Sequence, residues 1–460
     1  MANKGYIGII AVGLLLAGCG TSSGEIDAAT IGVTHQSLVD PDPGFSLLRY
    51  TATGQLDASF GVGGVVNPPT PNALDGTLVF DSANRLVVAG GSSPVLGERW
   101  FALARYQQSG AFDTSFGGGD GIVYTDFGET PTEIVQGLAV QSDGRIVAVG
   151  YGTFPTQPND SRWFVARYLE SGELDPSFGV NGKVITEFGT SAQARSVTID
   201  SAGKLIVGGN TVNPDTFYAG KLAIVRYNTD GTLDTTFNGT GKVLTDVSTT
   251  GRERVDTVRL GPKGRIVVAG LGVVPQVPCC GSGVSYAVVA RYNTNGTPDA
   301  TFGGGNGWVA LSPNTGSYGF SARDMFVDGS GRITVGGTTA DSPARFELIR
   351  LTSTGNLDTT FSGDGLQVTG SPTGEHLASG LALAPGNKIV IGGNYVQYVN
   401  GSQKFGATIA RYNLDGTLDT TFSGDGLVAQ RAPNINLNIN DSVVDSIGRI
   451  VLVGGAISPQ

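Results

Sequence analysis

Carboxylates make up most of the side chains in this sequence whose type and spacing could do chemistry. An Asp stands eight residues after each of seven arginines: Arg49–Asp57, Arg105–Asp113, Arg167–Asp175, Arg226–Asp234, Arg291–Asp299, Arg350–Asp358 and Arg411–Asp419. Three residues beyond each Asp comes a Phe, at Phe60, Phe116, Phe178, Phe237, Phe302, Phe361 and Phe422. Acids at fixed spacing serve several ends. Two carboxylates about 5–9.5 Å apart can hydrolyse a glycosidic bond. Oxygen-rich loops can hold calcium. A carboxylate facing a guanidinium can clamp two segments together. Because Arg and Asp recur as a unit, pairs such as Arg105–Asp113, Arg226–Asp234 and Arg411–Asp419 read as structural clamps. Arg closes a strand, Asp follows a turn, and the bond holds the hairpin arm. The segments SGDG, GGGDG and NTDG are oxygen-rich, with bound calcium as the alternative reading. They lack the spaced acids and terminal bidentate Glu of an EF-hand, so they read as turns and no metal or other cofactor is assigned.

Other catalytic types are scarce. The chain holds two histidines, His35 in a polar N-terminal stretch and His376 in an expected strand-to-strand connection. No His/Cys cluster has metal-ligand spacing. No catalytic residue is assigned; a two-carboxylate glycosidase stays open because acids can line a channel. Cys279 and Cys280 are adjacent. In an oxidising compartment they can form a vicinal disulfide that stiffens a ligand-contacting loop; two free thiols or a structural loop clasp are the alternatives. The absence of C-x-x-C argues against redox catalysis.

The elements that must position these residues follow from composition and repetition. Glycine is very high at 72 of 460 residues, and only 15% are charged. The net charge is −10, which excludes a broad nucleic-acid footprint. Val, Ile and Thr between Gly-rich turns indicate short strands. The decapeptide LDTTFSGDGL occurs twice, at Leu357–Leu366 and Leu418–Leu427, and the arginines recur every 56 to 65 residues. Each unit offers four strands, as in ARSVTID, KLIVGGN, KLAIVRY and GKVLT. Several are apolar on both faces and so must be covered on both. Seven such units predict an all-β, seven-bladed β-propeller, with a β-solenoid as the alternative. The repeats span residues 45–456. They open with third and fourth strands (FSLLRY, then Gly-Val-Val) and finish with first and second (SVVDSIGRIVLVGG). Two half-units would thus complete one blade.

The N-terminal MANKGYIGIIAVGLLLAGC combines a basic start, a short apolar run and Leu16-Ala17-Gly18-Cys19. It resembles the lipobox of bacterial lipoproteins, which implies a signal peptide over residues 1–18, lipidation of Cys19 and a flexible tether over residues 19–44. Gly20 after the Cys, rather than Asp, leans towards the outer membrane. The RY…G-x-L-D-x-x-F and G-[RK]-I-V-x-x-G-G blocks resemble the delta-60 repeat family of bacterial envelope proteins. That resemblance implies a propeller and an envelope location, and carries no catalytic residues.

Connections alternate between the two propeller faces. One face should hold the Asp-Gly turns and the Arg-to-Phe block, nearly uniform around the ring. The other holds connectors of unequal length, with Phe154, Trp163, Phe217, Tyr218, Tyr395 and Tyr398 as its candidate binding aromatics. The expected function is a membrane-tethered binding or scaffold propeller that engages envelope proteins or surface glycans without catalysis. The alternative is a carbohydrate-active enzyme, a glycoside hydrolase or lyase. Clustered carboxylates of displaced pKa at the channel mouth would favour the enzyme; an uncharged channel would favour the binder.

Overall fold

The computed structural model describes residues 45–67, 74–94, 98–128, 132–154, 157–189, 191–212, 219–247, 253–274, 284–311, 319–371, 374–399, 402–430 and 437–456. They form seven antiparallel sheets of four strands each. The first strands of blades 1 to 7 are Leu74–Phe80, Thr132–Val140, Ala192–Ile199, Arg254–Leu260, Phe320–Val327, Glu375–Ala384 and Leu437–Val444. Each packs against the next, and Leu437–Val444 packs back on Leu74–Phe80, so the ring closes. Second and third strands are the apolar ones. Leu86–Ser92 and Phe45–Tyr50 are buried at every residue, because sheets cover them on both faces.

Blade 7 is composite. Its order runs Val65–Val66, Phe45–Tyr50, Ile450–Ala456, Leu437–Val444, so the start of the propeller pairs with its end. Phe45 to Tyr50 lies antiparallel to Gly455 to Ile450. This is the propeller predicted from the two half-units, and it leaves no long unpaired edge.

The repeated Arg, Asp and Phe form one clasp, used in all seven blades. Each Arg Nε donates to the Asp Oδ2 at 2.7–2.8 Å. Its Nη2 donates to the Ser or Thr hydroxyl two residues after that Asp, at 2.9–3.2 Å. Its Nη1 donates to a backbone carbonyl of the next blade, from Gln108 for Arg49 round to Ala52 for Arg411. The guanidinium lies 4.4–4.8 Å from the centroid of the Phe ring, a cation–π contact out of bulk water.

That Phe is itself buried between blades. It packs under a turn glycine of the following blade, where a Cβ on Gly172 would stand 2.8 Å from Phe116 and one on Gly54 3.1 Å from Phe422. Both glycines also sit at φ near +90°, a conformation that disfavours any side chain. The Tyr after the Arg reaches the other way: Tyr168, Tyr227 and Tyr292 hydrogen-bond Thr125, Thr186 and Thr245 of the preceding blade.

Burial works to raise the clasp carboxyls, yet the bonds they accept outweigh it. Asp419 is held at about 2 by Thr421, Lys388 and Arg411. A carboxylate held below its unfolded value contributes stability in full above the ordinary carboxylate range, and this is lost progressively as pH falls from that range through the folded value. The Asp419 contribution therefore declines below the ordinary carboxylate range and is gone once pH has fallen through about 2.

Some clasps have a second cation. Lys204 Nζ lies 2.7 Å from Asp234, whereas Arg350 is the cation bonded to Asp358. Removing one partner of a buried pair costs about 3–5 kcal/mol. Arg350→Leu should therefore approach that loss in urea denaturation, and Arg226→Leu should lose clearly less. Equal losses would show that the ion pair does not set the cost.

Candidate ligand site in the central channel

The first strands wall a central channel, and a backbone irregularity shapes it. Six of them carry a bulge at the same place, which leaves one residue unpaired: Gln136, Arg195, Asp256, Arg323, Ser379 and Asn440. In blade 1 the irregularity spans Asp75 and Gly76. Opposite each of the six stands a glycine of the second strand, at Gly150, Gly209, Gly270, Gly337, Gly393 and Gly454. A Cβ there would lie 1.8–2.3 Å from a carbonyl oxygen of the bulged strand. The recurring glycine of G-[RK]-I-V-x-x-G-G is thus what lets the strand bulge, and the bulge turns an extra side chain to the channel.

All six unpaired residues line one cavity of about 830 Å³, within the size range of small-molecule sites. Behind them runs a hoop of polar ties. Val258 N–H donates to Ser196 Oγ at 3.1 Å. Asp324 accepts Thr257 Oγ1 at 2.8 Å, Arg259 Nη2 at 2.7 Å and Leu381 N–H at 3.2 Å, which joins blades 4, 5 and 6. Ser379 Oγ donates to the Ile439 carbonyl at 2.8 Å. Asp441 accepts Thr77 Oγ1 at 2.9 Å and Leu78 N–H at 3.3 Å, across the junction between last and first blades. Burial, then the Asp324 carboxylate, pushes Asp441 up to about 7. The channel is therefore charged, and one of its acids titrates near neutrality.

Three residues before the bulge, Glu133, Glu253 and His376 occupy the same place in blades 2, 4 and 6, and all three are fully buried. Glu133 accepts the Phe127 N–H. Burial first, with Asp126 and Glu98 adding repulsion, raises it to about 8. His376 lies inside a strand rather than in a connection, because its neighbours bury it. Its Nε2 accepts the Ser371 N–H at 3.0 Å and its Nδ1 meets Thr408 Oγ1 at 2.9 Å. Burial lowers it to about 4, so it is a neutral core histidine.

The structure sorts the aromatics expected on the variable face. Trp163 is fully buried beside Phe188, and Tyr395 is 5% exposed beside His376, so both belong to the core. Each stands on a strand that runs past the sheet into a long hairpin; Trp163 faces the next blade, and Tyr395 shares the face of His376, which packs on Phe346 of the preceding one. Tyr398 is 62% exposed and accepts a bond from Gln403. Phe154 ends its strand, but its side chain lies outside the described residues, as do Phe217, Tyr218, Cys19, Cys279 and Cys280. The Asp-turn loops are occupied by their own backbone: Asp120, Asp364 and Asp425 each accept an N–H two residues on. Among the described residues no group of three His, Cys, Asp or Glu could hold a metal ion, and no helix is long and apolar enough to cross a membrane. Sequence reasoning missed the channel residues because their types vary from unit to unit, with only Arg195 and Arg323 alike; the glycine opposite them was the available signal.

Six segments match the DUF5122 β-propeller model, a domain of unknown function: residues 84–116, 141–178, 203–237, 261–302, 329–361 and 385–422. The chain carries DUF5122 β-propeller repeats. Each matched segment ends on a clasp Phe, and none includes a first strand, so the channel wall falls outside all of them. No curated protein matches the sequence. Among solved structures, a streptogramin B lyase is 11% identical with a TM-score of 0.45, over 90% of this chain and 98% of its own. The α-L-arabinofuranosidase Arb93A from Fusarium graminearum is 10% identical at 0.46, over 80% and 98%. A PL25 ulvan lyase is 11% identical at 0.46, over 83% and 92%. Likeness at this level carries nothing about activity.

Glu133 makes a pH dependence testable. Its folded pKa is above its unfolded one, so its contribution to stability declines as pH rises from about 4.5 to 8. Glu133→Gln keeps an acceptor for the Phe127 N–H. It should raise the melting temperature at pH 8.5 by roughly 2–4 °C or more and leave it unchanged at pH 4. An equal change at both pH values would contradict this origin.

Proposed function

We propose that the propeller is a binding or scaffold module of the bacterial envelope, tethered by a lipid on Cys19 and holding a surface glycan or envelope protein at its central channel. One observation carries the reading. The clasp repeats in every blade, while the bulge residues on the same frame are Gln, Arg, Asp, Arg, Ser and Asn. A pore needed only for closure has no use for six polar groups of five different types; recognition of an asymmetric ligand does. None of the six belongs to an apolar cluster of the blades, so these polar groups are available without cost to the core. Tyr398 offers an exposed contact for a protein partner on the connector face.

The test uses the full-length protein in affinity electrophoresis through gels containing envelope polysaccharide. Retardation is expected, and Asn440→Trp, which narrows the channel, should weaken it without lowering the melting temperature by more than a few degrees. Unchanged retardation in that variant would place binding elsewhere. A photo-crosslinker at Tyr398 in intact cells reports a protein partner as a discrete shifted band. Cys19→Ser should move the protein from the membrane to the soluble fraction.

The second reading, a glycan-cleaving enzyme, is favoured by Asp324 and Asp441, two interacting acids in the channel of which one sits at about 7. Such a group can act as general acid. Against it, both carboxylates are engaged by the inter-blade hoop. New reducing ends or unsaturated products from polysaccharide, lost in Asp441→Asn, would establish it.

A further inference from the structure

We infer that the channel ligand bears an oxyanion, a carboxylate or sulfate group, received between Arg195 and Arg323. The inference rests on the channel-binding reading and names the chemistry of what is bound. It comes from accounting for each charge that faces the cavity. Asp256 is held by its strand neighbour Arg254, Nε to Oδ1 at 2.7 Å. Asp324 is held by Arg259 at 2.7 Å and by the hoop. Asp441 is folded back onto Thr77, Leu78 and Ser442. The acids are thus engaged by neighbours in the wall.

The two bulge arginines are not matched in this way. Arg323 is exposed in the channel and, among the described residues, has neither a hydrogen bond nor an ion pair. Arg195 directs Nε to Asn210 Oδ1 at 3.2 Å and Nη2 to Gln193 Oε1 at 2.8 Å, both neutral acceptors. These bonds orient its guanidinium without neutralising it. The two arginines belong to blades 3 and 5, on either side of blade 4; burial first makes Arg195 costlier to charge, Asp256, itself paired with Arg254, offsets part of that, and Arg254 and Arg323 add to it. Two positive groups facing one enclosed space repel, and an oxyanion between them removes the repulsion. Guanidinium is also the side chain best shaped to grip a carboxylate or sulfate through two oxygens.

The contrast with the rest of the molecule sharpens the point. The chain carries a net charge of −10, so an unpaired arginine in its channel does not reflect a general excess of positive charge. The remaining bulge residues, Gln136, Ser379 and Asn440, are neutral and can donate or accept hydrogen bonds. They suit hydroxyls. A negatively charged group at one side and hydroxyls at the other describe an acidic or sulfated sugar unit.

The test is calorimetric titration of the full-length protein with three probes: sodium glucuronate, glucose 6-sulfate and glucose. Variants are Arg323→Gln and, on the opposite turn face, Lys263→Gln. Both anionic probes should bind one per chain, with glucose about tenfold weaker or more. Arg323→Gln should weaken the anionic probes about tenfold, the usual scale for a charge-assisted contact, and leave glucose unchanged. Lys263→Gln should change nothing. Binding of only one anionic probe tells carboxylate from sulfate and still supports the inference. Equal binding of glucose with no effect of Arg323→Gln overturns the oxyanion while the channel-binding reading stands. No binding of any probe, with the melting temperature of each protein intact, overturns both.

Discussion

One guanidinium per blade, with three separate jobs, sets the terms for the whole ring. It fixes its own hairpin through the Asp eight residues on, steadies the following turn through a hydroxyl, and takes hold of the next blade by a backbone carbonyl. Arginine alone can do this, because its donors point in fixed directions within one plane; a lysine ammonium would reach one partner at a time. The Phe beneath it fills the seam between blades. The last of these contacts, from Arg411 to Ala52, is made between residues 359 apart in sequence. It is geometrically the same as the others, so closure uses the local rule a seventh time.

A frame built this way separates structure from recognition. The clasp occupies one face and uses the same side chains in every blade. The channel is reached through the first strands, where a glycine on the neighbouring strand allows a bulge and the bulge presents a residue free of packing constraint. The matched family segments stop at the clasp Phe and omit those strands. Whatever the propeller recognises is therefore specified in the part of each unit that the repeat leaves open.

The same division decides how much was legible in the sequence. Blade number, strand order, the composite blade and the Arg–Asp clamp all follow from spacing, because a repeated contact leaves a repeated residue. The bulge ring leaves almost none, since its members share a position and, two arginines apart, no type. Trp163 and Tyr395 look like loop aromatics in sequence, but their hairpins run long, and the strands carry them into the seams between blades. His376 looks isolated because its partners, Thr408 and Ser371, are distant or unremarkable in the chain. Glu133 and Glu253 repeat only in alternate blades, a pattern too sparse to stand out until the strands are aligned by their bulges.

The central claim is that each clasp holds the next blade as well as its own hairpin. Amide hydrogen exchange on Arg411→Leu tests it most directly. Protection should fall in residues 45–66, the half-blade that Arg411 grips, and stay near that of the parent protein in the distant strands at 192–227. Loss confined to residues 402–430, around the substituted residue itself, would contradict the claim and reduce the clasp to a local hairpin brace.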